Sequence, residues 1–395
     1  MKKIILLIVI IVIVIILCLV ALFIWYQNFN PVDETTTEET TTEETNNNEI
    51  PIEEEENQAE SIVKILDNVA SSTTTVSGQS ILYINTKDGR IHQTDLLGEE
   101  VKLIGDESFK SANRFRWSDS KNEVLISKVN KDGSYDSNIY YNFTNDYSKQ
   151  LSSNIRGIEI SPNSEQIVYE YVEEVAGFKR LAVSDIDGSN WENVLNILPA
   201  KDMKLPEELS GHLKLYWHDS TTFLFHNPGN IKEISQLYSR GENSGVVLNN
   251  TTGLQILPSP FDNKILFAVN DEAGKMPALK VLDNENDTVS DLLYTGLPDK
   301  CLWFNQTKIF CGIPQNVTSK DKLPDDFENG SFSSQDSIVS IDISNGKVSD
   351  FYSKKELGKD MDIEPQFFSS DDDWFYFRDK NDNTLYRAYT ILPSH

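Results

Sequence analysis

The chain has 395 residues, with 35 Lys and Arg against 62 Asp and Glu, for a formal net charge of −27. Its cations never gather into a long basic cluster, so there is no nucleic-acid footprint, and an anionic membrane surface or polyanion is repelled. The hydrophobic share is 39%, and the length suits one large all-β domain or two ordinary ones.

Residues 1–3 are Met1-Lys2-Lys3, and Ile4 to Trp25 follow without a charge, rich in Ile, Val and Leu. About 33 Å of helix at roughly 1.5 Å per residue crosses a bilayer core of about 30 Å. We therefore expect a transmembrane signal anchor over 4–26. A cleaved signal peptide fits less well, because the apolar run is long and no small-x-small cleavage signal follows. A lipoprotein site at Cys18 fits poorly too, since Leu17 stands where a small residue belongs. With Lys2 and Lys3 before the helix and an acidic segment after it, the stub 1–3 is expected in the cytoplasm and everything beyond 26 outside it.

Residues 27–58 are rich in Thr, Glu and Asn and contain no Lys or Arg. Such a segment buries too little to offset its ordering entropy and reads as a disordered acidic stalk. Ile62, Ile65, Leu66 and Val69 then fall at helical spacing, which predicts a short amphipathic helix over 59–71, packed on the following domain or on a second copy.

From residue 72 onward a strand, turn, strand unit recurs. Its clearest copy is Ile158 to Tyr171, where apolar runs flank the turn Ser161-Pro162-Asn163-Ser164. Other copies centre on Trp117-Ser118, Trp217-His218, Pro258-Ser259, Trp303-Phe304 and Phe368-Ser369, and Ser80 to Ile104 reads as three more strands around an Asp88-Gly89 hairpin. Successive anchors at 118, 161, 218, 259, 304 and 369 are one propeller blade apart once insertions at 198–212 and 312–334 are allowed for. Polar turns at Asp185 to Gly188, Asp283 to Asn286 and Ser344 to Gly346 add a second hairpin per repeat, hence four strands. The expected fold is all-β, a β-propeller over 72–395 with seven four-stranded blades, six or eight being the alternatives. The last copy lacks an outer partner, and Thr73 to Val76 is the expected closing strand.

The turns at Ser161, Trp117 and Phe368 resemble the Ser-Pro-Asp-Gly unit of TolB-like, WD-like bacterial propeller repeats, although most lack its Gly. Cys311-Gly312-Ile313-Pro314, Leu323-Pro324-Asp325-Asp326-Phe327, Gly330-Ser331 and Asp379 to Tyr386 resemble a group of membrane-anchored bacterial propeller proteins, with Phe327-Glu328 where an aromatic pair is expected. The resemblance implies a binding or scaffolding propeller and carries no activity.

Cys301 and Cys311 flank one hairpin symmetrically. Opposed residues in a non-hydrogen-bonded pair approach to about 4.5 Å between Cα atoms, within disulfide range, and an extracytoplasmic location permits oxidation. Two free buried thiols are the alternative. Nucleophilic signatures are lacking: Gly241 to Gly245 places its Ser one position late for a nucleophile elbow. His218 and His226 end one hairpin and read as structural rather than metal-binding. The Asp-rich turns at 132–136 and 379–383 lack the Gly and closing Glu of a calcium loop. No cofactor is expected. The long segment 312–335 is a candidate contact loop, through Pro324, Asp325, Asp326, Phe327 and Gly330. Together these features predict a membrane-anchored, extracytoplasmic, non-enzymatic module that binds a protein or a cell-wall polymer. The alternatives are a glycan lyase or hydrolase using channel carboxylates, and an accessory subunit of an envelope or secretion complex.

Overall fold

The computed structural model describes residues 62–390 apart from 131–134, 174–177, 199–212, 220–221, 228–230, 232–233, 242–244 and 272–276. The expected anchor at 4–26 and stalk at 27–58 lie outside the described residues. Among the described residues no helix is long and apolar enough to cross a membrane.

Seven four-stranded antiparallel sheets form the blades of a β-propeller. Their innermost strands, blade one to blade seven, are Val69–Thr74, Arg114–Trp117, Ile155–Ile160, Lys214–Trp217, Gln255–Pro258, Cys301–Asn305 and Ile363–Phe368. Second strands carry the continuous apolar runs that made the repeat visible. Ile167, Val168 and Tyr169 are buried together, as are Phe375, Tyr376 and Phe377, because each second strand lies between two neighbouring blades and is covered on both faces. The cores accordingly sit between blades. Leu125 and Tyr140 of blade two pack on Ile158 and Tyr169 of blade three, and Val168 and Leu181 of blade three on Leu215 and Phe225 of blade four. The ring meets itself where Tyr376 and Leu385 of blade seven pack on Ile81 and Tyr83 of blade one.

Two expectations fail here. Of the span expected as a helix over 59–71, the described residues instead contribute to strands Ile62–Leu66 and Val69–Thr74. The closing strand is Ile62–Leu66, which lies at the outer edge of blade seven, while Thr73 and Thr74 belong to the innermost strand of blade one. Ile62 pairs with Ala388 and Lys64 with Tyr386, then a bulge between Lys64 and Leu66 shifts the register so that Leu66 meets Leu385. A bulge inserts one residue and breaks the two-residue alternation. The apolar positions then fall at spacings of three and four, which imitate a helix.

The missing turn glycines have a conformational trace. In the turns after Ser118, Ser161 and Ser369 the fourth position takes a left-handed backbone, with φ of 54° at Lys121, 61° at Ser164 and 63° at Asp372. The turn Ser hydroxyls hold these loops: Ser161 Oγ accepts from Gln166 N at 2.9 Å and Ser369 Oγ from Trp374 N at 2.9 Å.

Candidate functional site: a capped channel

An innermost strand sends alternate side chains into the centre of the ring. Arg114 and Arg116 do so from blade two, Lys214 and Tyr216 from blade four, and Glu364 and Gln366 from blade seven, around a cavity of about 1580 Å³. Its carboxylates are largely matched to cations. Arg116 Nε donates to Glu159 Oε2 at 3.1 Å, Arg378 Nε to Glu364 Oε2 at 2.7 Å, and Lys214 Nζ to Glu328 Oε1 at 2.5 Å. Arg114 Nη1 donates to the Tyr135 hydroxyl at 2.6 Å. Glu159 holds the Arg116 guanidinium well above its usual range, outweighing burial. Burial works against the Lys214 ammonium, but Glu328 and Asp299 outweigh it and raise it. The Tyr216 hydroxyl is raised by burial.

The 312–335 segment folds over the end of the channel where the innermost strands of blades four and five begin. Leu323 and Phe332 bury against Leu297, with Val317 and Phe327 beside them, as a small core of its own. From that base the helical turn Asp325–Glu328 reaches over to blades four and five. Glu328 binds Lys214 and also accepts from Gln255 Nε2 at 3.0 Å, and Asp325 Oδ1 accepts from Ile231 N at 3.2 Å. Lys380 Nζ lies 4.5 Å from the Phe327 ring centroid and Lys300 Nζ 5.4 Å from it. A buried ion cluster fixes the root of the cap. Lys300 Nζ contacts Asp336 Oδ2 at 2.9 Å and Asp362 Oδ1 at 2.6 Å, while Ser334 Oγ donates to Asp362 Oδ1 at 2.9 Å. Burial raises the Asp336 carboxyl; it pushes Asp362 up as well, but Lys300 and Lys380 leave that group below its usual range.

The structure divides the candidate contact loop. Asp325 and Phe327 line the channel. Asp326 turns back into its own loop and accepts from Lys322 N at 2.8 Å, the Pro324 carbonyl accepts from Phe327 N, and Gly330 ends the turn with φ of 74°. Glu328, which the sequence showed only as a departure from a motif, ties the cap to blade four. Burial, helped by Glu328 and Asp326, raises the Asp325 carboxyl.

The remaining candidates are structural in placement. Cys301 and Cys311 face each other in register and form a disulfide, with Cα atoms 4.1 Å apart. His226 is fully buried, stacked on Tyr216 at 5.9 Å, with Nδ1 2.7 Å from the Asn227 carbonyl; burial and Lys214 push it down to about 3. His218 sits at the opposite end of that hairpin, 3.3 Å from Asn263 Oδ1. In the turn at 379–383, Asp379 Oδ1 accepts from Asp362 N and Asn381 N, each at 3.0 Å. The turn at 132–136 falls partly outside the described residues. Among the described residues no group of three or more His, Cys, Asp or Glu has the arrangement to hold a metal ion.

No family model matches the chain, and no curated protein does. Solved structures do. An oligogalacturonate lyase in complex with manganese matches with a TM-score of 0.54 at 12% identity, over 84% of this chain and 91% of that one. The Cps50 (Swd1) β-propeller domain of Myceliophteria thermophila matches with a TM-score of 0.53 at 10% identity, over 84% of this chain and all of that domain, 100%. A putative TolB from Agrobacterium tumefaciens is a more distant neighbour, with a TM-score of 0.40 at 14% identity over 58% of this chain and 82% of its own. The first two likenesses show the propeller fold and no more.

Proposed function

We propose that this propeller is a non-enzymatic binding module, held outside the cell membrane by the 4–26 anchor and its stalk, whose channel receives an extended segment of an envelope protein or cell-wall polymer. The capped channel supports this reading. Its volume of about 1580 Å³ exceeds the roughly 300–1,000 Å³ of ordinary small-molecule pockets, and Glu159, Glu328 and Glu364 are each engaged by a cation. Carboxylates so engaged serve shape and charge balance better than proton transfer.

The test is capture of the full-length protein from its native membrane after mild crosslinking, beside an Arg114→Glu variant that reverses one channel charge. A reproducible partner lost in the variant supports the reading; one retained equally by both refutes a channel site. One observation favours a second reading, glycan cleavage. Asp325 lines the channel with a raised carboxyl next to Glu328, and a paired acid and carboxylate is what glycoside chemistry uses. Release of reducing ends from polysaccharide by the intact protein, abolished in Asp325→Asn, would establish it.

A further inference from the structure

Away from the channel, a cleft of about 260 Å³ opens between blades two and three. Leu151, Ile155, Tyr171, Arg180 and Trp191 are among the residues that line it. The Arg180 guanidinium lies 4.6 Å from the Tyr171 ring centroid, 5.0 Å from that of Phe178 and 4.4 Å from that of Trp191. Stacking among three rings fixes the orientation of the guanidinium before any ligand arrives, which reduces the ordering a ligand must impose. Arg180 Nε is buried without a hydrogen-bond partner, and among the described residues the side chain meets no carboxylate. Asp187, the acid of this cleft, is engaged by Lys149 Nζ at 3.0 Å. Trp191 is 53% exposed, so ring surface remains open beside the cation.

We propose that this cleft binds a single sugar acid, its carboxylate on the Arg180 fork and its pyranose face on Trp191. A guanidinium recognises a carboxylate through two parallel charge-assisted hydrogen bonds, and an indole face packs on the apolar face of a pyranose. The size of the cleft restricts the ligand to about one sugar unit. The protein's net negative charge opposes a polyanion far more than a monovalent unit, because the repulsion grows with the number of ligand charges held within the roughly 8–10 Å reach of surface fields at physiological salt. The site is separate from the channel, so its failure leaves the channel reading untouched.

Calorimetric titration of the full-length protein with D-glucuronate, D-glucose and acetate tests it. Glucuronate is expected to saturate, with glucose and acetate weaker by roughly tenfold or more, since each lacks one of the two contacts. Trp191→Ala is expected to lose glucuronate binding at unchanged melting temperature, and Arg180→Gln to lose it as well. Trp191 is exposed, so its variant reads the site even where Arg180→Gln fails to fold. The proposal is overturned by no saturation with glucuronate, by binding unchanged in both variants, or by acetate binding as tightly as glucuronate. The last result would make the cleft a receptor for a bare carboxylate such as a peptide end.

Discussion

Replacing Lys300 by Met tests the ion cluster that roots the channel cap. The ammonium is 1% exposed and contacts Asp336 at 2.9 Å, Asp362 at 2.6 Å and the Ile363 carbonyl at 2.9 Å, so the thioether leaves two buried carboxylates without the cation that bridges them, and only Asp362 keeps a second one, Lys380, nearby. Breaking a buried ion pair from one side costs roughly 3–5 kcal/mol. That is a large fraction of the roughly 5–15 kcal/mol a domain has to lose. The loss is expected to depend on pH. In the variant the Lys300 charge no longer offsets the burial that already raises Asp336, and only hydrogen bonds such as that from Ile363 N still oppose it, so the folded state binds protons more readily than the unfolded chain. Stability then rises as pH falls through the raised folded value, because the folded state has the greater proton uptake. Urea unfolding followed by tryptophan fluorescence at neutral pH and near pH 5 measures both effects. A loss under about 1 kcal/mol at neutral pH, or one no smaller in acid, would refute the account. The triple variant Lys300→Met, Asp336→Asn, Asp362→Asn is expected to recover much of the stability, since it removes the stranded charges together.

Three further outcomes follow from the same reasoning. Replacing Cys301 and Cys311 by Ser is expected to lower stability by about 3 kcal/mol on the loop-entropy model, and chemical reduction of the native chain should lower the urea midpoint comparably. His226 has a folded value near 3 against an ordinary 6.5, so its contribution is full above 6.5 and declines as pH falls from 6.5 towards 3. His226→Phe, which keeps the stack on Tyr216, should flatten that acid limb, and an unchanged pH profile would count against it. A chain starting at Val69 lacks the closing strand and exposes the outer edge of blade seven. Broadened, less cooperative unfolding by calorimetry is expected, whereas a chain starting at Gln58 should melt like the full-length protein.

The sequence by itself determined what depends on neighbours along the chain. Second strands such as Ile167-Val168-Tyr169 announce themselves because both faces are buried, and turns such as Ser161 to Ser164 because their side chains hydrogen-bond locally. The disulfide was legible for the same reason: a hairpin's centre fixes which residues oppose one another, so Trp303 facing Ile309 places Cys301 against Cys311. Tertiary structure decided whatever depends on partners far away in sequence. Residues 62–66 become a strand only because Tyr386 to Ala388 wait at the open edge of blade seven, and their bulge gives them the spacing of a helix. Glu328 becomes the clasp of the cap only because the ring brings Lys214 to it, 114 positions earlier in the chain. Arg180 comes to line a cleft only when blade two closes against blade three. Periodicity reports burial and turn chemistry. It holds no record of which surfaces a closed ring will bring together.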